Sequence, residues 1–227
     1  MAYLRENLII SFDDFGKSRE GNQKILELVR WKKADRVAVL VNGAVNEKEI
    51  SELLNSEVKI DLHLDLGISN EKGDALRRSF LFLFYYFFFG KISAGKVEKD
   101  WEEQMQKFQI LFGRNPDGLN SHQYVHFFPP YFKIILKLGE KYKISYLRFG
   151  KNGIAENVNS ISGILNGLWK RNNSQFQKFS FDSSDFLVSY NWIRDFPSFL
   201  EKLTSEKTEL IFHPEREKEF EAIKKYF

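Results

Sequence analysis

Residues 36–66 read RVAVLVNGAVNEKEISELLNSEVKIDLHLDL, and this stretch predicts a strand, a helix and a second strand in succession. The first apolar run, Arg36–Val41, ends at the turn-forming pair Asn42-Gly43, and the last, Val58–Leu66, alternates polar and apolar residues as a strand does. A helical stretch, Glu47–Asn55, lies between them. This order forms a β-α-β unit, so we expect two parallel strands here.

The same alternation continues on both sides of this unit, which favours a parallel α/β protein over a helical bundle or a sandwich. No internal repeat and no Pro-, Gly- or Ser-rich linker divides the 227 residues, so we expect one domain over residues 1–227. Further strands are expected at Leu8–Phe12, Leu119–Ser121, Ser145–Arg148, Phe186–Ser189 and Glu209–Phe212, and further helices at Glu20–Lys33, Gly95–Phe112, Tyr131–Lys143 and Ser160–Arg171.

The composition is that of a folded protein without a strong charge bias. Lys and Arg total 34 against 31 Asp and Glu, a net charge of +3 without a dense basic block, so we expect no nucleic-acid partner. There are no cysteines, which excludes disulfides, thiolate metal sites and cysteine nucleophiles and agrees with a reducing compartment. The N-terminal apolar run is too brief for a signal peptide, and we expect a cytoplasmic protein.

Phenylalanine is unusually frequent, at 23 residues, and is densest in Phe80–Phe89, FLFLFYYFFF. A membrane-spanning helix needs about 20 apolar residues, whereas Arg77, Arg78 and Lys91 bound this shorter run. The run predicts a buried helix, the contact surface of a homodimer or a peripheral contact with a membrane, and these alternatives stay open.

Polar side chains gather at the ends of the predicted strands, where parallel α/β folds bind their ligands. On Val58–Leu66, the residues Asp61, His63 and Asp65 share one face and the aliphatic residues share the other, so the polar face indicates solvent or a functional cavity. The other polar residues at or just after strand ends are Asp13, Asp14, His122, His126 and His213.

Each of these residues has an ordinary explanation when it is taken alone. Asp13 and Asp14 would normally point in opposite directions, as in a solvated turn or a helix cap, unless the backbone leaves the strand there. His122 and His126 have the spacing that places two imidazoles on one helical face, but Pro129-Pro130 favours a loop at least as well. The other two histidines would singly be a core residue and a strand terminus.

Together the residues indicate a more specific chemistry. One carboxylate and two imidazoles from separate strand ends form a donor set with open positions, which suits a divalent ion carrying water and substrate. A second carboxylate and a further histidine supply a base and an acid. This is the minimum set for metal-assisted hydrolysis of an amide or an ester.

Several segments, in order along nearly the whole chain, resemble the YdjC-like carbohydrate deacetylases, which include bacterial chitooligosaccharide deacetylases. Leu8–Gly21, LIISFDDFGKSREG, with the following Asn22 is similar to the family's apolar strand, Asp-Asp-Phe-Gly and Gly-x-Asn. Leu111–Pro129, LFGRNPDGLNSHQYVHFFP, resembles its Gly-x-x-Pro segment and its Leu-Asp-Ser-His-x-His-Val-His run. The shorter matches are LVNG at Leu40–Gly43, DLHLDL at Asp61–Leu66 and ELIFHP at Glu209–Pro214.

The resemblance implies a single-domain distorted β/α barrel of the glycoside hydrolase/deacetylase type. It implies a carbohydrate N-deacetylase, a hydrolase that removes the acetyl group from N-acetylated sugars or oligosaccharides. By position, Asp14, His63 and His122 would hold a divalent metal, Mg²⁺ or alternatively Zn²⁺. Asp13 would then be the catalytic base and His213 the proton donor.

Three positions depart from the family's pattern. Asn120 stands where the family has Asp, Tyr124 where it has His, and Asp61 where it has Gly. The first change removes a carboxylate that would orient a ligating imidazole. We expect Asn120, Tyr124, His126 and Asp65 to contact the substrate or to support the metal ligands from behind.

Two alternatives stay open. A catalytically silent sugar-binding or scaffold protein would retain the fold without the reaction. A metal-dependent hydrolase of another amide or of a phosphoester would use the same donor set. Acetate release from acetylated sugars, measured with and without a chelator, separates these alternatives.

Overall fold

A parallel sheet organises the computed structural model, which describes residues 7–66, 93–152 and 160–227. Its seven strands are β1 (Leu8–Phe15), β2 (Arg36–Val39), β3 (Lys59–Leu64), β4 (Gly118–Ser121), β5 (Tyr146–Leu147), β6 (Phe186–Ser189) and β7 (Thr208–Phe212). They lie in the order β5-β4-β3-β2-β1-β7-β6, and every neighbouring pair is parallel. The predicted α/β class with a parallel sheet is confirmed.

The helices between the strands begin and end at residues typical of helix caps. Ser18 accepts a hydrogen bond from the Gly21 amide at the start of the first helix, and Asn46 forms a capping box with Glu49 at the start of the second. The α-helices are α1 (Arg19–Arg30), α2 (Glu47–Leu54), α3 (Ala94–Phe112), α4 (Pro129–Lys141), α5 (Ser160–Phe176), α6 (Phe196–Glu201) and α7 (Glu217–Tyr226), with 3-10 helices at His122–Phe127 and Tyr190–Trp192.

The two edges of the sheet meet, so the sheet curls into a distorted barrel. The segment that continues from β5 pairs with the segment around the start of β6 through parallel bridges between Tyr146 and Asp182 and between Lys151 and Phe186. The Leu187 amide donates to the Lys151 carbonyl oxygen at 3.0 Å across this seam. Among the residues that the structure describes, the pairing across this seam is limited to short stretches, so the barrel closes irregularly.

The polar face of β3 lines the inside of this barrel. Asp61 and His63 are 0% and 2% exposed, and the aliphatic residues of the opposite face are also buried. Of the two interpretations of the polar stripe, solvent is therefore wrong for these two residues. The barrel interior also holds the buried side chains of Arg36, Arg148 and Glu209.

Two differences from the sequence-based expectations concern the site directly. β1 continues to Phe15 rather than ending at Phe12, because its last residues still pair with β2 after a shift in register. The helices α6 and α7 were not predicted. α7 begins with acidic residues and ends with basic ones. This charge pattern is a helix signal, but the sequence-based expectations rested on hydrophobic periodicity and did not use it.

The aromatic run Phe80–Phe89 lies outside the described residues, so its role stays a prediction. Within the three described ranges, no helix combines the length and the apolar character needed to cross a membrane.

Gly43 packs against the turn that follows β1, and this contact gives a first prediction. A Cβ atom at position 43 would lie 2.0 Å from the Gly16 carbonyl oxygen, which accepts a hydrogen bond from the Ala44 amide. We expect Gly43→Ala to lower the free energy of unfolding by about 1–3 kcal/mol, because backbone has to move. Gly167→Ala is the matched control, since nothing lies within 4 Å of its added Cβ. Equal urea midpoints for the two variants would contradict this interpretation.

Candidate active site

The end of β1 brings two adjacent carboxylates to one place. The register of β1 against β2 shifts between Phe12 and Phe15, and Asp14 adopts a left-handed backbone conformation with φ of 67°. Asp13 Oδ2 consequently lies 3.9 Å and Asp14 Oδ1 3.4 Å from the same atom, Nε2 of His63. Neighbouring residues of a regular strand could not do this, because their side chains point to opposite faces. The backbone therefore leaves the regular strand geometry here, as the functional interpretation requires.

Asp14, His63 and His122 come together from the ends of three strands. One ligand atom from each residue lies within 4.8 Å of the other two. Asp14 Oδ1 is 2.9 Å from His122 Nδ1, and the two imidazole rings are nearly perpendicular with centroids 5.5 Å apart. His122 is partly exposed while the other two are buried, so the group is open to solvent on one side.

The two oxygens of Asp14 have different partners. Oδ1 faces the histidines, and Oδ2 accepts a hydrogen bond from Lys17 Nζ at 2.6 Å. Lys17 also donates to Glu215 at 3.0 Å and so ties the loop after β1 to the loop after β7. Burial alone would raise the pKa of Asp14, but hydrogen bonds with His122 and His63 hold it well below its ordinary value. Asp14 is therefore a carboxylate at neutral pH.

Asp13 is held by a buried arginine. Arg148 is fully buried, and its Nη1 and Nη2 atoms donate to the two oxygens of Asp13 at 2.8 and 2.9 Å. Its Nε donates to Glu209 at 2.7 Å. Burial alone would raise the pKa of Asp13, but Arg148 and His63 lower it below the ordinary value. Asp13 is thus ionised and fixed in orientation.

Sequence reasoning missed both Arg148 and Glu209. Glu209 lies in β7 and accepts hydrogen bonds from Arg148, from Ser11 at 2.7 Å and from Tyr146 at 2.7 Å. A signal existed in each case, since Glu209 begins one short predicted strand and Arg148 ends another. The partners, however, are separated by more than 60 residues and meet only when the barrel curls.

His213 directly follows β7 and lies close enough to Asp13 and Asp14 for their charges to act on it. Its Nδ1 is 3.6 Å from Glu219 Oε2, an ion-pair distance beyond hydrogen-bond reach, and its backbone amide donates to the same oxygen at 2.6 Å. Burial lowers the pKa of His213, but Glu219, Asp14 and Asp13 together raise it above its ordinary value. The raised pKa increases the protonated share of His213 near neutral pH.

His126 lies away from the three converging donors. It is fully buried, and its Nε2 contacts the Arg148 carbonyl oxygen at 2.9 Å while its Nδ1 contacts Ser121 Oγ at 2.5 Å. A carbonyl oxygen only accepts, so Nε2 carries the proton and Nδ1 accepts from Ser121. Burial lowers the pKa of His126 to about 3. The ring is therefore neutral and supports the backbone of Arg148.

His122 and His126 do not share a helical face. Gln123 and Tyr124, between them, both have left-handed backbone conformations that kink the 3-10 helix. Tyr124 is partly buried and packs on Trp192 with ring centroids 5.5 Å apart. A pair of residues with positive φ is strained, and such strain is common at functional sites.

Asp65 lies just after β3 and is tied to α3. Its amide donates to Gln104 Oε1 at 3.0 Å, and its carbonyl oxygen accepts from Trp101 Nε1 at 2.8 Å. It is not among the described residues whose ligand atoms converge on one point. Asn120 lies directly behind His63 and hydrogen-bonds its Nδ1.

The converging donors fit a divalent metal ion. They comprise one carboxylate oxygen and two imidazole nitrogens, brought from three strand ends with one side open. This composition is typical of sites that keep open positions for water and substrate. Imidazole nitrogen suits Zn²⁺ and similar ions, whereas Mg²⁺ prefers oxygen ligands, so the donor chemistry by itself favours the former.

Several proteins with known names are similar to this chain in sequence. Mouse and human proteins named carbohydrate deacetylase are each 28% identical over 160 residues, which cover 65% of this chain and 52% and 50% of theirs. A chitooligosaccharide deacetylase of Citrobacter koseri is 31% identical over 135 residues, 56% of this chain and 53% of that protein. The chain thus spans about half the length of the curated relatives that it matches.

A solved structure shares the fold. An Enterococcus faecalis protein named for cellobiose-phosphate cleavage superposes with a TM-score of 0.61 at 20% identity, covering 90% of this chain and 78% of its own. The sequence model of the YdjC-like proteins matches residues 7–225, which include every residue of the site described above. The chain therefore belongs to the YdjC-like protein family.

Proposed function

We propose that this protein is a metal-dependent carbohydrate deacetylase that hydrolyses the acetamide of N-acetylated sugars or oligosaccharides. The names of the mammalian and bacterial relatives support the reaction and the substrate class. The convergence of Asp14, His63 and His122 supports the metal dependence. A bound divalent ion would polarise the acetamide carbonyl and lower the pKa of water, as such ions do in hydrolases.

Asp13 is the proposed base. It takes a proton from the attacking water, whose oxygen forms the new bond to the acetyl carbon. An ionised carboxylate can accept that proton, and the double hydrogen bond from Arg148 keeps it aimed in one direction. The observation that carries the proposal is the position of Asp13, an ionised carboxylate held in one orientation beside the three donors, with its Oδ2 3.9 Å from His63 Nε2.

His213 is the proposed acid. The C–N bond of the acetamide breaks as the proton of His213 passes to the sugar nitrogen, so the products are acetate and a free amine. An amine without that proton is a very poor leaving group. The neighbouring Glu219 supports the role because it favours the protonated ring.

The test is acetate release from N-acetylglucosamine oligomers in the presence of Zn²⁺ or Mg²⁺. We expect release that a chelator abolishes and that one of the two ions restores, since the donors alone supply no Lewis acid. Asp14→Ala should lose the activity, while Asp182→Ala, a change in an exposed ion pair with Lys207, should keep it. A metal-loaded protein that releases no acetate from any acetylated sugar would contradict the proposal and favour a silent relative.

A further inference from the structure

Behind His63, on the side away from Asp14, lies a row of buried polar residues that are not metal donors. The row runs from Asn120 through Asp61 to Arg36 across β4, β3 and β2. We propose that Asn120 and Asp61 act together as positioning residues that fix His63 in the tautomer with Nε2 free to bind a metal ion. This inference rests on the proposed function, because it assigns His63 to the metal.

The first step is the contact between His63 and Asn120. The two residues are directly opposite each other in β3 and β4, and His63 Nδ1 forms a hydrogen bond with Asn120 Oδ1. An amide oxygen only accepts, so Nδ1 carries the proton. In the neutral ring that a metal ligand requires, Nε2, which faces Asp13 and Asp14, is then the nitrogen with the lone pair.

The second step is what holds the amide of Asn120 in that orientation. Its Nδ2 lies 3.5 Å from Asp61 Oδ2, and both residues are fully buried. A rotation of the amide by half a turn would set its oxygen against the carboxylate and its NH₂ group against His63 Nδ1. Two acceptors would then face each other without water, and the proton of His63 would move to Nε2, which could no longer bind a metal.

The third step is what holds the side chain of Asp61 in place. Arg36 donates to both of its oxygens, at 2.8 and 2.6 Å, and the guanidinium lies 3.8 Å from the centre of the Tyr146 ring. Gly118 provides the space, because a Cβ there would lie 2.6 Å from Arg36 Nη2 and 2.7 Å from Asp61 Oδ1. The ion pair therefore packs directly against Gly118 inside the barrel, and a Cβ atom added there would require Arg36 or Asp61 to shift.

The informative substitution is Asn120→Asp, which keeps the shape of the side chain. Aspartate could still accept from His63 Nδ1, so a site in which Asn120 acts alone would tolerate it. Next to Asp61, however, it buries a second carboxylate without a second cation, and the repulsion moves the groups that orient His63. Asp61→Asn combined with Asn120→Asp exchanges the two side chains and removes this repulsion.

The experiment measures the affinity for Zn²⁺ by competition with a chromogenic chelator, together with the free energy of unfolding in urea. We expect Asn120→Asp to weaken Zn²⁺ binding about 10- to 100-fold, as the loss of such a partner typically does. The exchanged pair should recover most of that loss. Gly118→Ala, which pushes Arg36 from Asp61 without changing a polar residue, should weaken binding in the same direction.

Asn172→Asp is the matched control. Asn172 is also a buried asparagine, but it donates to the Phe127 carbonyl oxygen rather than to a ligand. It should lose stability and keep its Zn²⁺ affinity, which separates positioning from general damage. The ring ¹⁵N shifts of His63 in the Zn²⁺-loaded protein should report a protonated Nδ1.

Unchanged Zn²⁺ affinity in Asn120→Asp, or no recovery in the exchanged pair, would overturn this inference while leaving the deacetylase proposal standing. A wild-type protein that does not bind Zn²⁺ or any other divalent ion would overturn both. A wild-type protein that binds Zn²⁺ with the expected variant pattern but releases no acetate would overturn only the proposed reaction.

Discussion

Asp13→Asn should lower the rate of acetate release by a factor of about 10² to 10⁴, which is the usual contribution of a positioned base. The variant should continue to bind its divalent ion. The reason is that Asp13 is not one of the three converging donors but lies beside them, 3.9 Å from His63. Asparagine has nearly the same shape but cannot take a proton from water. The rate should be measured with saturating metal and an N-acetylglucosamine oligomer.

The substitution also disturbs the pairing with Arg148, so stability and binding need their own measurements. The amide NH₂ group of asparagine would face an N–H of Arg148, and we expect some loss of stability from this donor–donor contact. Metal affinity and the urea midpoint of Asp13→Asn therefore accompany the rate, with Asp182→Asn as the exposed control. A folded, metal-loaded Asp13→Asn protein with the wild-type rate would show that Asp13 is not the base.

The parts of the fold that depend on local patterns could be predicted from the sequence. The alternation in residues 58–66 located β3 and showed that Asp61 and His63 share a face, because side chains of a strand alternate strictly. The positions of His63 near the end of β3, and of His122 and His213 directly after β4 and β7, followed from the same strand patterns. A parallel sheet then brings strand ends to one edge, so their convergence could be expected before any coordinates.

The parts that depend on distant partners could not be predicted. Arg148 and Asp13 are 135 residues apart in the sequence. Which polar side chains meet inside the barrel depends on how the sheet closes. The joint action of Asp13 and Asp14 needs the left-handed conformation of Asp14, for which the neighbouring Gly16 is only a weak signal. Asn120 was expected to weaken the orientation of a ligand, and only the contact with Asp61 shows how its amide is held.

The second large effect concerns Arg148, which we expect to be the most important single residue for stability in the barrel interior. Arg148→Met would leave Asp13 and Glu209 as buried carboxylates without their shared cation. Removing one partner of a buried ionic group typically costs about 3–5 kcal/mol, a large part of the roughly 5–15 kcal/mol that stabilises a domain. The measurement is the free energy of unfolding in urea.

We expect the burial of the ion pair, rather than its presence alone, to determine how much unfolding free energy is lost. Arg30 forms a comparable contact with Glu52 at 2.5 Å, but the two side chains are 52% and 28% exposed. Arg30→Met should therefore change the unfolding free energy by no more than about 1 kcal/mol.

A second variant, Arg148→Lys, covers the case in which Arg148→Met does not fold. Lysine keeps the charge but cannot bind both carboxylates through forked hydrogen bonds, so we expect an intermediate loss of unfolding free energy. If Arg148→Lys or Arg148→Met lost as little unfolding free energy as Arg30→Met, Asp13 and Glu209 would not depend on Arg148 to remain ionised inside the barrel. The assignment of Asp13 as an ionised, oriented base would then lose its physical basis.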